Sequence, residues 1–229
     1  MSKSPLLDFI KEKIHSSQEI NSVTTPSVIT ISREYGCPGV LVSTELSNEL
    51  SKIQSKEWSV VDKQIINQAA EELDIPAGLI EKISKHKPAG IFEELFLSFS
   101  DTHLPSDIKV KKTIARILRT VALHGNVIIL GRGGVVLSRD IKKSLHIHLY
   151  APISWRVARV KVLENITSDN EAIGRIKTVD SERVFLKNYF AGESIDNNIF
   201  DVSFNCKYIT ANEIVHSILE LVKLKNILN

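Results

Sequence analysis

Three features of this chain predict an α/β fold, a mostly parallel sheet with helices on both faces. Apolar β-branched runs alternate with amphipathic helical stretches from Val28 onward. Two of the runs, Val28–Ser32 and Val127–Leu130, are continuous, as strands buried on both faces are. Both lead into glycine turns, Gly36-Cys37-Pro38-Gly39 and Gly131-Arg132-Gly133-Gly134, at the strand ends where open α/β sheets hold ligands.

Leu6 to about Ile20 reads as a short amphipathic helix outside the main fold, joined to it by the polar link Asn21–Pro26. Residues 1–26 thus form an extension to a main domain of residues 27–229. The first strand, Val28–Ser32, precedes a helix over roughly Val40–Ile53, with Val42, Leu46, Leu50 and Ile53 on one face. Trp58–Val61 is a second short strand with Asp62 at its end. Lys63–Leu73 is helical and is stopped by Asp74-Ile75-Pro76. From Ala77 to Ser106 the pattern is broken by Pro88, Gly90 and Pro105, which predicts an irregular, mobile insertion. Ile108–His124 repeats apolar residues at helical spacing, and Gly125 closes it as a C-cap. Leu145–Tyr150 is a strand and Ser154–Leu163 a helix. Ser168-Asp169-Asn170-Glu171 has capping-box spacing and opens a long helix to about Phe190. Asp201–Ile209 is the last strand, and Thr210-Ala211-Asn212-Glu213 caps the final helix.

A chain of 229 residues suits one α/β domain with insertions, and 43% hydrophobic residues supply a full core. A net charge of +2 lacks the electrostatic footprint of a nucleic-acid binder. No apolar run approaches the ~18 residues of a membrane span. The first residues carry a charge too early for a signal peptide. Cys37 and Cys206 are too few and too far apart in sequence for a disulfide framework. Together these features predict a cytoplasmic protein with neither nucleic-acid nor membrane partners.

The segment Ser32–Gly39 followed by a helix is a unit that turns backbone N–H groups and a helix N-terminus toward a phosphate. Its candidate phosphate-binding residues are Ser32, Arg33, Tyr35, Gly36, Cys37, Pro38, Gly39 and Val40, with Arg33 bringing a cation to the anion. On the two glycines alone, a ligand-free turn explains the loop equally well. Two further strand ends favour a site: Asp62, and Arg132 with Gly133, which are candidate acceptor-binding residues. Farther along, Arg156 and Arg159 are spaced i,i+3, as are Asp180 and Arg183, and Arg175 lies two turns before Arg183. Taken alone this is a solvated helix face with ordinary ion pairs. If the helix pair closes as a lid, the same arginines supply the cations that phosphoryl transfer needs and exclude water. His146 and His148 share one side of a strand but lack a third ligand at matching spacing, so no protein metal site is expected. The basic stripe Lys109, Lys111, Lys112, Arg116 and Arg119 reads as a solvated helix face.

Five segments in order resemble the cytidylate kinase-like proteins, a branch of the P-loop nucleoside monophosphate kinases. They are Ile31-Ser32-Arg33-Glu34-Tyr35-Gly36, Val61-Asp62-Lys63-Gln64-Ile65-Ile66, Ile128-Ile129-Leu130-Gly131-Arg132-Gly133, the run from Leu149 to Arg156, and the run from Arg175 to Arg183. The resemblance extends from about Val28 to the C-terminus. It implies a P-loop NTPase-type core, a helical acceptor-binding insertion at about residues 63–107 and a lid at about residues 166–190. It places ATP phosphates on Ser32–Gly39 and a nucleoside monophosphate near Asp62, Arg132 and Gly133. ATP and Mg2+ are the implied cofactors. The implied catalytic residues are Arg33, Arg156, Arg175 and Arg183, and the lid carries Arg175, Asp180 and Arg183. The N-terminal helix is suited to packing on a second copy in a homo-oligomer.

The chain departs from this family at the loop, which usually runs Gly-Ser-Gly-Gly-Arg-Glu. Here it is Gly36-Cys37-Pro38-Gly39-Val40-Leu41. Val40 removes a cation, and Pro38 removes an N–H donor. Leu41 stands where a hydroxyl would hold magnesium, so the metal would be held through phosphates and water. Two readings follow: an ATP-dependent kinase of a CMP-like nucleoside monophosphate or a similar small acceptor, or a non-catalytic nucleotide-binding or regulatory protein with a degenerate loop. A dinucleotide-dependent enzyme ranks third, because Asp62 is suitably spaced for a ribose but the turn is not Gly-x-Gly-x-x-Gly.

Overall fold

A computed structural model describes residues 25–66 and 106–228. The predicted N-terminal helix, most of its link and nearly all of the insertion lie outside the described residues. Five strands, β1 (Ser27–Arg33), β2 (Ser59–Val61), β3 (Val127–Leu130), β4 (Lys143–Tyr150) and β5 (Val202–Asn205), form one sheet in the order β2-β3-β1-β4-β5. Every pairing is parallel. The continuous apolar run of β1 puts it at the centre, where both faces are covered. After β3 the chain crosses over β1 to build β4. The winding therefore reverses at β1, and a crevice opens at the carboxyl ends of β1, β3 and β4.

The helices are α1 (Gly39–Gln54), α2 (Ser106–His124), α3 (Gly134–Ser138), α4 (Ile153–Glu164), α5 (Asp169–Ala191) and α6 (Ala211–Leu224). The alternation of strand residues decides which helix covers which face. Ile29, Ile31, Ile128 and Leu130 pack with Val42, Leu46 and Leu50 of α1 and with Ile214, Ile218 and Val222 of α6. Val28, Val127 and Ile129 point the other way, against Ile114, Ile117, Leu118 and Val121 of α2. Over β4 that second face turns polar, and buried Thr30 and His146 hydrogen-bond to each other, Oγ1 to Nδ1, at 2.9 Å. A third small core joins α4 to α5 through Val157, Val160, Ala172 and Ile176, and Tyr35 of the loop packs against it.

Several expectations are corrected. The last strand ends at Asn205 rather than Ile209. There the Asn205 side chain accepts from Lys207 N–H and its carbonyl from Tyr208 and Ile209, which turns the chain. Ser168 accepts from Glu171 N–H without the reciprocal bond, whereas Thr210 and Glu213 form the complete capping box. The short α3 and a 3-10 turn at Asn197–Ile199 were not foreseen. The basic stripe of α2 is a solvated face only in part: Lys112 and Arg116 are exposed, whereas Lys111 and Arg119 turn to partners. Lys111 is buried with its ammonium 5.1 and 4.3 Å from the Phe185 and Tyr189 rings. Arg119 grips both carboxylate oxygens of Asp140 at 2.5 and 2.6 Å. Long basic stems cover apolar surface and bring their charge to a partner at its edge. Among the described residues no helix is long and apolar enough to cross a membrane.

Candidate functional site

The loop between β1 and α1 is held from three sides. Glu34 N–H donates to Leu149 O at 2.9 Å, Cys37 N–H to Glu34 O at 3.1 Å and Gly39 N–H to Cys37 O at 2.8 Å. Tyr35 N–H donates to Asp180 Oδ1 of α5 at 2.6 Å. Arg156, only 7% exposed, donates to Ala151 O and Tyr35 O and pairs with Asp180 at 2.5 Å and Glu34 at 3.2 Å. Arg159 donates to Gly36 O at 2.9 Å and stacks on Trp155. Much of the loop's donor capacity therefore serves the chain itself, and Pro38, the N-cap of α1, brings no side-chain cap. Val40, in the first turn, is 66% exposed.

Beneath the loop lies Arg33. A Cβ on Gly39 would stand 3.1 Å from its Cγ, and one on Gly131 would stand 2.0 Å from its Nη1. Burial and the neighbouring Arg183 and Arg132 guanidiniums hold its pKa down to about 9, with Asp62 opposing them. Arg183 donates to Arg33 O at 2.9 Å and lies 5.4 Å from the Tyr35 ring centre, and burial lowers its pKa as well. Arg175 grips both oxygens of Glu164 at 3.1 and 3.0 Å. Glu164 also accepts from the Tyr35 hydroxyl, and these two partners hold its carboxyl below the usual range.

Arg132 adopts φ of 55°, between Gly131 at 76° and Gly133 at 70°. Three consecutive left-handed residues suit glycine, but at Arg132 they cost roughly 1 kcal/mol, a strain of the kind that collects at functional sites. The space beside two of these glycines is already filled by side chains. Arg33 takes the space at Gly131, and at Gly133 the Phe190 ring lies 2.5 Å from a hypothetical Cβ.

Two cavities flank this arginine cluster. The larger, about 390 Å3, is walled by Arg33, Tyr35, Lys63, Arg132, Arg175 and Arg183. The smaller, about 180 Å3, lies toward β4 and shares Arg33, Arg132 and Arg183, adding His148, Lys187 and Phe200. His148 stacks on Phe200 at 4.9 Å, and burial with nearby Lys187 depresses its pKa to about 4, so the imidazole itself is neutral at pH 7.

The fold thus brings Arg33, Arg132, Arg175 and Arg183 together, with Gly133 at the border of the smaller cavity. Arg156 lines neither cavity and holds the loop instead. Asp62 caps the turn that follows it, accepting from Gln64 and Ile65 N–H at 2.8 and 3.1 Å. Lys63 and Lys187 escaped the sequence reading as cleft residues, and His148 was weighed there only as a metal ligand. Lys187 follows Arg183 by four residues on the same helix, a signal that was available, whereas His148 needed the strand register. The donor set does not fit a protein-held metal. Among the described residues no three His, Cys, Asp or Glu are grouped to hold an ion. Ser43 Oγ donates to Val40 O, and Glu34 and Asp180 are paired with Arg156.

A parallel sheet of this order, a loop–helix unit after its central strand and an arginine-lined crevice define a nucleotide kinase-like protein of the P-loop α/β type. The chain belongs to the cytidylate kinase-like family, whose model matches residues 28–208. It is 27% identical over 117 residues to a cytidylate kinase from Sulfolobus acidocaldarius, a match covering 51% of this chain and 64% of that relative's length. It is similar in fold to an uncharacterized protein from Eubacterium ventriosum, with a TM-score of 0.64 and 14% identity over 87% of this chain and 99% of the other.

Proposed function

We propose that this protein is a cytoplasmic, ATP-dependent phosphotransferase that acts on a CMP-like nucleoside monophosphate or a similarly small acceptor. The observation that carries this reading is the convergence of Arg33, Arg132, Arg175 and Arg183 on one cleft, where burial and mutual repulsion depress the pKa of Arg33. Such a cluster is relieved by an anion, and phosphoryl transfer is catalysed mainly by positioning and by cations around the transferred group. In this reading the loop from Ser32 to Val40 faces the ATP phosphates. Asp62, Lys63, Arg132 and Gly133 face the acceptor, and Arg33, Arg175 and Arg183 surround the transferred group. Arg156 positions the loop, residues 166–190 act as the lid, and residues 63–107 form the acceptor-binding insertion. Mg2+ enters with the nucleotide, held by phosphates and water.

One observation favours a second reading, a binder without turnover. The loop N–H groups of Tyr35, Cys37 and Gly39 are already engaged within the chain, and Val40 offers no charge. A coupled phosphotransfer assay across the nucleoside monophosphates with ATP and Mg2+ separates the two. Turnover by the wild-type chain is expected. Arg33→Ala should remove it by at least about a hundredfold, while Val40→Arg changes it modestly or raises it. ATP binding with no turnover on any monophosphate would establish the second reading. An active enzyme indifferent to Arg33→Ala would shift the missing cation's role to Arg175 and Arg183.

A further inference from the structure

The smaller cavity is a second basin behind the arginine cluster. Its walls come from the carboxyl ends of β1, β3 and β4, from α5 and from the turn that ends at Phe200. Four cations line it, Arg33, Arg132, Arg183 and Lys187, against two carboxylates, Glu34 and Asp180. Both carboxylates pair with Arg156 outside the cavity, and Asp180 also lies 3.8 Å from Arg183. Lys187 stands 5.7 Å from the centre of the Phe200 ring and, among the described residues, has no carboxylate within salt-bridge distance. The Arg33 guanidinium has no hydrogen-bond acceptor among the described residues either. Its Nη1 lies against Gly131, which borders this cavity and not the larger one.

These cations are short of a counter-charge. The neutral His148 imidazole, stacked on Phe200, supplies none. It gives a low-dielectric wall, beside which each charge acts more strongly. A volume of about 180 Å3 is too small for a nucleotide, since pockets for drug-sized ligands begin at roughly 300 Å3. At ~30 Å3 for each water it suits a small tetrahedral anion with part of its hydration.

We propose that the smaller cavity is a binding site for inorganic phosphate, held by Lys187 together with the guanidiniums of Arg33, Arg132 and Arg183. Guanidinium forks match the oxygens of a tetrahedral oxyanion, and an ammonium adds a point charge. The consequence for nucleotides rests on the phosphotransferase reading above. Arg33 and Arg183 line both cavities, so an anion on one side draws their charge from the other. Phosphate therefore weakens ATP binding, and ATP weakens phosphate binding by the same factor. Lys187 lines the smaller cavity alone, which separates the two sites by mutation.

The test titrates inorganic phosphate into the full chain at pH 7, read by calorimetry and by the His148 ring-proton resonances. Phosphate should bind with a Kd below about 1 mM and shift those resonances. Lys187→Ala should weaken that binding at least about tenfold, and Lys187→Arg should retain it. Unshifted His148 resonances, or equal phosphate affinity in Lys187→Ala, would overturn the site. ATP is then titrated with and without saturating phosphate. Wild-type affinity for ATP should fall at least about fivefold, and Lys187→Ala should abolish most of that fall. No fall, or an equal fall in both proteins, would overturn the coupling. Protein that takes phosphate in this cavity but binds no ATP would instead overturn the phosphotransferase reading and leave the phosphate site standing.

Discussion

Arg132 separates binding from stability more sharply than any other side chain in the cleft. It holds a left-handed conformation that glycine adopts without strain. Arg132→Gly should therefore change unfolding free energy by no more than about 1 kcal/mol, since backbone relief offsets the lost contacts. It should nevertheless weaken nucleoside monophosphate binding by at least about tenfold, as loss of a charge-assisted contact does. Denaturant unfolding and calorimetry on the same variant check both halves, and unchanged affinity would remove Arg132 from the acceptor site. Gly131→Ala makes the opposite case. Its Cβ would collide with Arg33 Nη1, and its φ is positive. The variant should lose about 1–3 kcal/mol and displace the Arg33 guanidinium at the same time.

The helix pair α4 and α5 is the element that controls the loop. It has its own apolar core, and through Asp180 and Arg156 it holds the Tyr35 N–H and carbonyl. Asp180→Ala removes one acceptor from a buried guanidinium that keeps Glu34 as a partner. The expected loss is about 1–3 kcal/mol, with faster amide exchange at Tyr35. Wild-type exchange at Tyr35 in that variant would show that another contact holds the loop. If residues 166–190 close over substrates, a bisubstrate analogue should slow exchange across them. Equal exchange in both states would rule out closure.

Taken together, three imidazoles that lose part of their hydration on folding set how the fold responds to acid. His148 has a folded pKa of about 4 against an ordinary 6.5, and burial lowers those of His146 and His124 too. Below pH 6.5 the unfolded chain takes up protons that the fold refuses, so these groups favour the fold above pH 6.5. For His148 that contribution is lost as pH falls from 6.5 toward 4. Solvent around half-buried His148 reduces the effect to the order of 1 kcal/mol. Urea midpoints should drop between pH 7 and pH 5, and His148→Asn should flatten that slope. An identical slope in the variant would assign the acid response to the other two histidines.

Much of this architecture was legible along the chain because it rests on local periodicity. The continuous runs of Val28–Ser32 and Val127–Leu130 announce buried parallel strands, and the spacing of Val42, Leu46 and Leu50 announces the helix they support. The glycine turns at both strand ends mark the side of the sheet where the cleft lies. Pairings between distant segments were not legible, because composition and spacing carry no information about which charge meets which. Folding alone joined Asp180 to Tyr35 N–H, placed the Arg33 guanidinium in the space at Gly131 and buried Lys111 over two aromatic rings. Residues that share a strand or a helix turn are neighbours by covalent geometry, whereas these partners become neighbours only when sheet order and helix packing set the distances between them.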